Sequence, residues 1–468
     1  MKLTITDSCL NGDYCLKEEE KEVKKEKIAL AFQAIDNLQK EFKENKVEII
    51  SFVGQSRKKE NFENQPIIWY GDIKTEKFYA RYTPIEAKFY TSHYVGFYST
   101  VINNQPVTIE IEPRFGKSVQ NYLFAHALEL YLPKGDSGQE KSSSDNLWLM
   151  ALLWRAMVEK AITKSQIPKT YQKIDKNQSY FRGRLNVAKQ IKYNLIDQSK
   201  FYCNYSKLSY NNKINQTVRY CYYLLKKYKC NDAVKGFAEY DAMLNDFGVS
   251  NQPVEIKDIQ NIHYTPMTKY YKPLMELSKN LIAFKHYQNT SNLQKKSFSM
   301  FIDMAEIWEN YIYNLLRKKL PSEYEIENPN LTGDYALFDD ESRKVRPDIL
   351  IKKGSEVIAV IDAKYKRYTC IGENAKVDGA VSREDLYQMM TYLCRFGKTN
   401  TFGIFVSPKK AEDFKTLKDS QNQQIGVLGI KLPLKEEKED LALNELQKSE
   451  KSFVESLLKH LNYFVSEK

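Results

Sequence analysis

Five consecutive apolar residues, Val357–Ile361 (VIAVI), run directly into Asp362, Ala363 and Lys364. A continuous β-branched run of this kind is a strand buried on both faces, so the chain must build a sheet with layers packed on either side. Lys353–Ser355 reads as a tight turn, with Pro347–Lys352 as the hairpin partner of Glu356–Lys364. A helix is expected upstream over Met304–Lys319, with Met304, Ile307, Trp308, Tyr311, Ile312 and Leu315 along one face. Short strands follow near Glu323–Glu327 and Tyr335–Phe338. Beyond the hairpin come a helix at Arg383–Phe396, which gathers Leu386, Met389, Met390 and Leu393, and a buried strand at Thr401–Val406. The pattern predicts an α/β domain, a mixed sheet flanked by helices.

The rest of the chain has a different texture. Lys17–Lys27 (KEEEKEVKKEK) opens a charged helix whose Ile28, Ala31, Phe32, Ile35 and Leu38 recur at helical spacing. Short β-type runs follow at Val47–Val53, Ile67–Tyr70, Phe78–Tyr82, Tyr94–Tyr98 and Val107–Ile111. A polar loop at Lys134–Ser144 is the clearest break. Leu147–Ile162 and Ile214–Leu225 then read as helices, and Leu446, Phe453, Leu457 and Leu461 mark an amphipathic helix in the tail. Packing of that tail on its own domain is favoured over partner binding. The expected division is a charged helix plus β-rich unit at 1–133, a helical middle region at 145–290, the α/β domain at 297–432 and a charged C-terminal helix at 433–468.

Composition narrows the class. With 468 residues, 42% apolar and 28% charged, the chain has ample material for a core and is not a disordered protein. Its seven cysteines are scattered without a CxxC pair and its five histidines are isolated, so any metal must be held by carboxylates. Leu147–Trp154, the most apolar stretch, is stopped by Arg155 and is too short for a membrane span. Met1–Gly12 lacks the apolar core of a secretory signal, and a cytoplasmic protein is expected. The net charge, 71 − 60 = +11, suits a polyanionic partner, with a plain lysine-rich bias as the equal alternative.

Asp348 opens one strand of the hairpin, and Asp362 and Lys364 close the other. Alternation puts Asp362 and Lys364 on one face, and the turn at Gly354 brings Asp348 beside them. Two carboxylates and an ammonium at the end of an apolar strand need pairing or a cation. Hard oxygen ligands suit Mg²⁺, or Mn²⁺ in its place, and the lysine is placed to orient or deprotonate a water attacking phosphorus. An Asp-x-Lys alone is weak, since an acidic residue two before a basic one arises about nine times by chance at this composition. Its ordinary reading is a strand-end salt bridge. Asp303 and Glu306 have the spacing of a helix capping box. Glu309, beside the apolar stripe, is either a third carboxylate at the metal or a border position. Arg346, Lys366 and Arg367 are either phosphate-positioning groups or solvated strand-end charges.

Taken together these residues resemble a known family. Pro347-Asp348, Asp362-Ala363-Lys364 and Gln388-x-x-x-Tyr392 look like the PD-(D/E)XK nuclease fold, in particular its RecB-like branch. More narrowly, Glu112–Gly116 (EPRFG), Phe181–Asn186 (FRGRLN), Phe301–Tyr311 (FIDMAEIWENY) and Val360–Tyr365 (VIDAKY) resemble, in order, the McrC family of McrBC-type modification-dependent restriction systems. The resemblance runs with gaps from about Val95 to Val406. It implies Asp348 and Asp362 as metal ligands with the Ala363 carbonyl assisting, Lys364 as the catalytic lysine and Glu309 as the acidic residue of the first nuclease helix. Gln388 and Tyr392 would support the site and touch DNA. It further implies a McrB-like hexameric AAA+ GTPase partner, engaged by the N-terminal region and stimulated in its GTP hydrolysis, and cleavage of double-stranded, modified DNA. No GxxxxGK[ST] occurs, so no nucleotide is expected on this chain itself. The long Cys370–Ser382 loop, the charged N-terminal helix and the tail beyond Leu434 depart from the resemblance. Two other readings are a non-catalytic adaptor that stimulates the GTPase or binds DNA, and a stand-alone RecB-like repair nuclease.

Overall fold

The computed structural model describes residues 2–7, 21–44, 46–47, 49–50, 67–70, 89–130, 145–289, 297–332, 335–340, 342–372, 379–397, 400–418, 422–433 and 439–463. The strand expected at Phe78–Tyr82, the loop at Lys134–Ser144 and part of the Cys370–Ser382 loop lie outside them. The chain divides into two compact units, Met1–Gly135 with Gln294–Lys468, and Asp136–Leu293.

The first unit begins with β1 (Lys2–Thr6), the charged helix α1 (Lys21–Lys43), β2 (Ile49–Ile50), the paired β3 (Ile68–Tyr70) and β4 (Phe89–Thr91), β5 (Tyr94–Ile102), β6 (Gln105–Glu112) and α2 (Lys117–Ala127). β5 and β6 form a hairpin whose two turn residues, Asn103 and Asn104, both hold positive φ, the conformation that a tight two-residue hairpin demands. Ala31, Ile35 and Leu38 of α1 are buried in one cluster with Tyr98, Ile109 and Ile111, as their helical spacing requires. β1, which pairs parallel with β6, had no sequence signal beyond five residues of alternation.

The second unit contains α3 (Asp145–Ser165), β7 (Thr170–Gln178), β8 (Arg184–Leu185), α4 (Val187–Asn194), β9 (Phe201–Ser209), α5 (Lys213–Lys227), α6 (Asn231–Val234), α7 (Ala238–Asp246), α8 (Ile256–Gln260) and α9 (Lys272–Asn289). The expected helices are present, but the region is not purely helical. An antiparallel sheet in the order β7-β9-β8 lies inside it, paired from Thr170–Ser209 to Gln178–Phe201. Its strands are mostly exposed and rich in Lys, Tyr and Asn, so they carry no period-two apolar pattern to read.

Returning to the first unit, β10 (Phe298–Asp303) inserts between β5 and β2 and completes a sheet in the order β1-β6-β5-β10-β2. Gly96 permits this approach, because a Cβ there would fall 2.1 Å from the Met300 carbonyl oxygen. β10 leads straight into α10 (Met304–Lys319), and Asp303 caps it by accepting from the amides of Ala305 (2.8 Å) and Glu306 (3.3 Å).

The chain then continues through β11 (Tyr324–Glu327), α11 (Pro329–Thr332), the pair β12 (Tyr335–Ala336) and β13 (Lys344–Val345), β14 (Ile349–Lys353), β15 (Glu356–Ala363), α12 (Arg383–Phe396), β16 (Phe402–Ser407), β17 (Glu412–Thr416), β18 (Gln424–Gly429) and α13 (Glu439–Tyr463). A mixed sheet runs in the order β11-β14-β15-β16-β18-β17, with β15, β16 and β18 parallel at its centre. Val360 and Phe405 share a buried cluster with Met389 and Leu393 of α12. Ala359–Ile361 and Phe402–Ser407 are buried, at roughly 1.5–3 kcal/mol for each large side chain, whereas Val357 and Ile358 at the start of β15 are only half-buried, so the run Val357–Ile361 is covered on both faces only in its second part.

The tail does pack on its own unit: Leu446, Phe453, Leu457 and Leu461 of α13 are buried. Beside them the buried Glu450 accepts hydrogen bonds from the hydroxyls of Tyr122 of α2 (2.9 Å) and Tyr311 of α10. Glu450→Ala strands both hydroxyls in an apolar setting and is expected to lower stability by about 2 kcal/mol or more. Glu450→Gln, which still accepts, should lose less. Denaturant unfolding of the two variants checks this, and equal midpoints for wild type and Glu450→Ala would refute it.

Candidate active site

The β14–β15 hairpin turns at Gly354, whose φ of +61° suits glycine, and its last ladder pair is Ile349 with Ile361. One step further out stand Asp348 and Asp362. The Asp348 carboxylate reaches across to accept from the Ala363 amide at 2.9 Å. Lys364 follows, its own amide still bound to the Val406 carbonyl of β16 at 3.0 Å. The residues that sequence spacing brought together are together in space.

The Lys364 ammonium is surrounded by acceptors. It lies 3.0 Å from Asp362 Oδ2 and 3.3 Å from Asp385 Oδ1, and donates to Gln388 Oε1 at 2.9 Å. Gln388 in turn donates to the Tyr392 hydroxyl (2.8 Å), which donates to the Arg346 carbonyl (3.1 Å). The four-residue spacing of Gln388 and Tyr392 therefore stacks them on one face of α12 and ties that helix to the start of β14.

Charge is concentrated here. Burial, reinforced by the carboxylates of Glu309 and Asp362, holds the Asp348 carboxyl well above the usual range. Burial opposes the Lys364 charge, but Asp362, Asp385 and Asp348 outweigh it and raise the ammonium's pKa. Asp385 is also buried, yet Lys364 and Lys366 hold its carboxyl below the ordinary value.

The donor set fits a hard divalent cation. Asp362 is a buried carboxylate whose Oδ2 faces the Lys364 ammonium at 3.0 Å, and Asp348 is pressed by two like charges. Asp348, Asp362 and the Ala363 carbonyl match the sparse protein ligation typical of Mg²⁺. Among the described residues no three His, Cys, Asp or Glu side chains stand close enough to form a metal-holding group by themselves. Glu309, expected as a third ligand, stands here as an electrostatic neighbour of Asp348.

Of the basic residues expected beside the site, Arg346 and Arg367 have exposed side chains. Lys366 is engaged by Asp385 at 2.7 Å. Asp385 is the residue that sequence reasoning missed. It also accepts from Ser382 Oγ (3.0 Å) and the Tyr368 hydroxyl, and its amide donates to Ser382, the cap of α12. The Ser382-x-x-Asp385 capping spacing, one turn before Gln388, was the available signal.

The solved structures that this chain is similar to include two McrBC complexes. One is described as a refined half-complex from the tetradecameric assembly of Thermococcus gammatolerans McrB AAA+ hexamers with bound McrC. The match covers 98% of this chain and 100% of that one, at 16% identity and a TM-score of 0.53. The second, a cryo-EM structure of the T. gammatolerans McrBC complex, matches at 16% identity over 69% of this chain and 89% of that one, with a TM-score of 0.35. No curated protein matches. At these identities the first likeness speaks to fold alone, and membership rests on sequence: the family described as McrBC 5-methylcytosine restriction system component matches residues 90–408. That span holds Asp348, Asp362 and Lys364, the whole of the second unit and part of the first, and the chain belongs to the McrBC 5-methylcytosine restriction system component family.

Proposed function

We propose that this chain is the McrC-type nuclease subunit of a modification-dependent restriction complex, a PD-(D/E)XK endonuclease that hydrolyses DNA phosphodiesters beside an AAA+ GTPase hexamer. The observation that carries the reading is the convergence of Asp348, Asp362 and Lys364 at the end of the β14–β15 hairpin, with two buried carboxylates pressed together beside one ammonium. Asp348, Asp362 and the Ala363 carbonyl would hold Mg²⁺, or Mn²⁺ in its place. The chemistry such an ion supplies when bound is neutralisation of phosphate charge and acidification of water. Lys364 Nζ, kept protonated by its acidic neighbours, donates to the reacting phosphate or water and orients it. Gln388 and Tyr392 keep the lysine aimed, and exposed Arg346 and Arg367 contact the DNA backbone.

The test is cleavage of methylated and unmethylated plasmid with Mg²⁺, comparing wild type with Asp362→Ala, with and without the AAA+ partner and GTP. Cutting that needs the partner, GTP and Asp362 supports the nuclease reading. Stimulated GTP hydrolysis without cutting of either plasmid by wild type moves the assignment to a non-catalytic adaptor.

The partner surface is proposed on the second unit rather than within 1–133. Among the described residues, every strongly exposed large apolar side chain except Phe338, Tyr387, Met390 and Leu441 lies in the second unit. They include Phe181, Val187, Ile191, Leu195 and the 98%-exposed Ile196, on or beside the β7-β9-β8 sheet. Such a gathering marks an interaction face. Phe181→Ser with Ile196→Asp is expected to weaken partner binding by about tenfold or more, as loss of central apolar anchors does. Sedimentation with the AAA+ hexamer measures it, and unchanged affinity would move the surface elsewhere.

A further inference from the structure

Tyr365 follows Lys364 where the β15 ladder has ended, so its carbonyl has no strand partner of the regular kind. The partner comes from a distant segment. Arg114, in the corner Glu112–Gly116 after β6, is buried, and its Nη2 donates to the Tyr365 carbonyl at 3.2 Å. The same guanidinium lies 4.3 Å over the Tyr365 ring. Arg114 is itself anchored: its amide donates to Asp7 Oδ1 at 2.7 Å, and the Asp7 amide donates to the Glu112 carbonyl at 2.8 Å. Asp7 is 1% exposed, so this clamp is built into the core rather than laid on the surface. On the other side, the Val406 carbonyl that holds the Lys364 amide also accepts from Trp308 Nε1 at 3.1 Å. The backbone of Lys364 and Tyr365 is therefore gripped on one side by β16 and on the other by Arg114.

We infer that Arg114 is a positioning residue for Lys364, fixing the backbone immediately after the lysine through the Tyr365 carbonyl. The inference rests on the nuclease reading for its catalytic consequence, but not for its structural one. Arg114 is buried against the Tyr365 backbone, and it acts by removing the freedom of the segment that carries the ammonium. A displacement of about 1 Å of a reacting group is enough to slow a reaction on the order of a hundredfold.

The test uses the full chain with two variants, Arg114→Lys and Arg114→Met, read in three ways. Amide hydrogen exchange is measured first on the free chain. A peptide covering 362–370 should exchange about tenfold faster in Arg114→Met, as a segment that loses a buried hydrogen bond opens more often. Peptides of α5 should be unchanged. In the assembled complex with GTP and Mg²⁺, kcat for plasmid cleavage should fall by about thirtyfold in Arg114→Met while KM stays within about twofold. Arg114→Lys, which keeps the charge over the ring, should recover part of the loss, and partner GTP hydrolysis should stay at the wild-type level in both. Unchanged exchange at 362–370 overturns the clamp. Loss of exchange protection throughout the chain, or loss of GTPase stimulation in parallel with cleavage, overturns it in favour of a general fold role. A wild type that never cuts would instead sink the nuclease reading, and the exchange result would still decide the clamp.

Discussion

Asp362→Ala is expected to reduce plasmid cleavage by about a thousandfold or more while leaving stimulation of the partner's GTP hydrolysis intact. The loss follows from removing one of two carboxylates in the proposed ligand set, where a single group typically supplies several kcal/mol to the barrier. The same change should not destabilise the chain. Asp362 is 4% exposed and stands against Asp348, whose carboxyl is pushed up by burial and by the charges of Glu309 and Asp362. Deleting one of these carboxylates relieves that repulsion, and Lys364 keeps Asp385 and Gln388 as partners. A melting temperature equal to or above wild type, with cleavage gone, is the expected pair of results. A variant that still cuts at more than about a tenth of the wild-type rate would remove Asp362 from the reaction, since functional carboxylates at metal sites do not tolerate deletion so well. The outcome would then favour a purely structural ion pair with Lys364 at the strand end.

Lys364→Met should have nearly as large an effect on cleavage and the opposite effect on stability. The ammonium is the shared counter-charge of Asp362 and Asp385, and it is only 18% exposed. Without it, buried carboxylates are left facing one another, a loss of about 2 kcal/mol or more. Cleavage should fall by about a hundred- to ten-thousandfold, the range for removing a positioned donor or acid–base group. Asp385→Asn is the informative companion. It leaves the lysine held by Asp362 and Gln388 but frees Lys366, and a loss of about tenfold is expected. Single-turnover cleavage in the assembled complex, with thermal unfolding in parallel, separates the cases. Full activity of Lys364→Met would eliminate the lysine from the mechanism.

The relation of this site to the sequence is uneven. Asp348, Asp362 and Lys364 were legible because the features that place them are local: a buried strand, a hairpin turn at Gly354 and strict side-chain alternation. Gln388 and Tyr392 were legible only through family resemblance, since a Gln and a Tyr one helical turn apart have no chemistry of their own. Glu309 was legible as a nearby acid but not in its distance from the others. Asp385 was hidden in plain sight as a capping residue, because nothing in its neighbours shows that α12 carries it to Lys364.

Local signals place α1, α10 and α12, the buried strands β15 and β16, the cap at Asp303 and the tail helix α13. Long-range packing is what puts β10 between β5 and β2, a polar sheet inside the second unit, and Arg114 against the carbonyl of Tyr365. The difference is one of range. Periodicity and capping act over one or two turns of chain, whereas Arg114 and Tyr365 stand 251 positions apart and meet only once the two larger sheets of the first unit have packed.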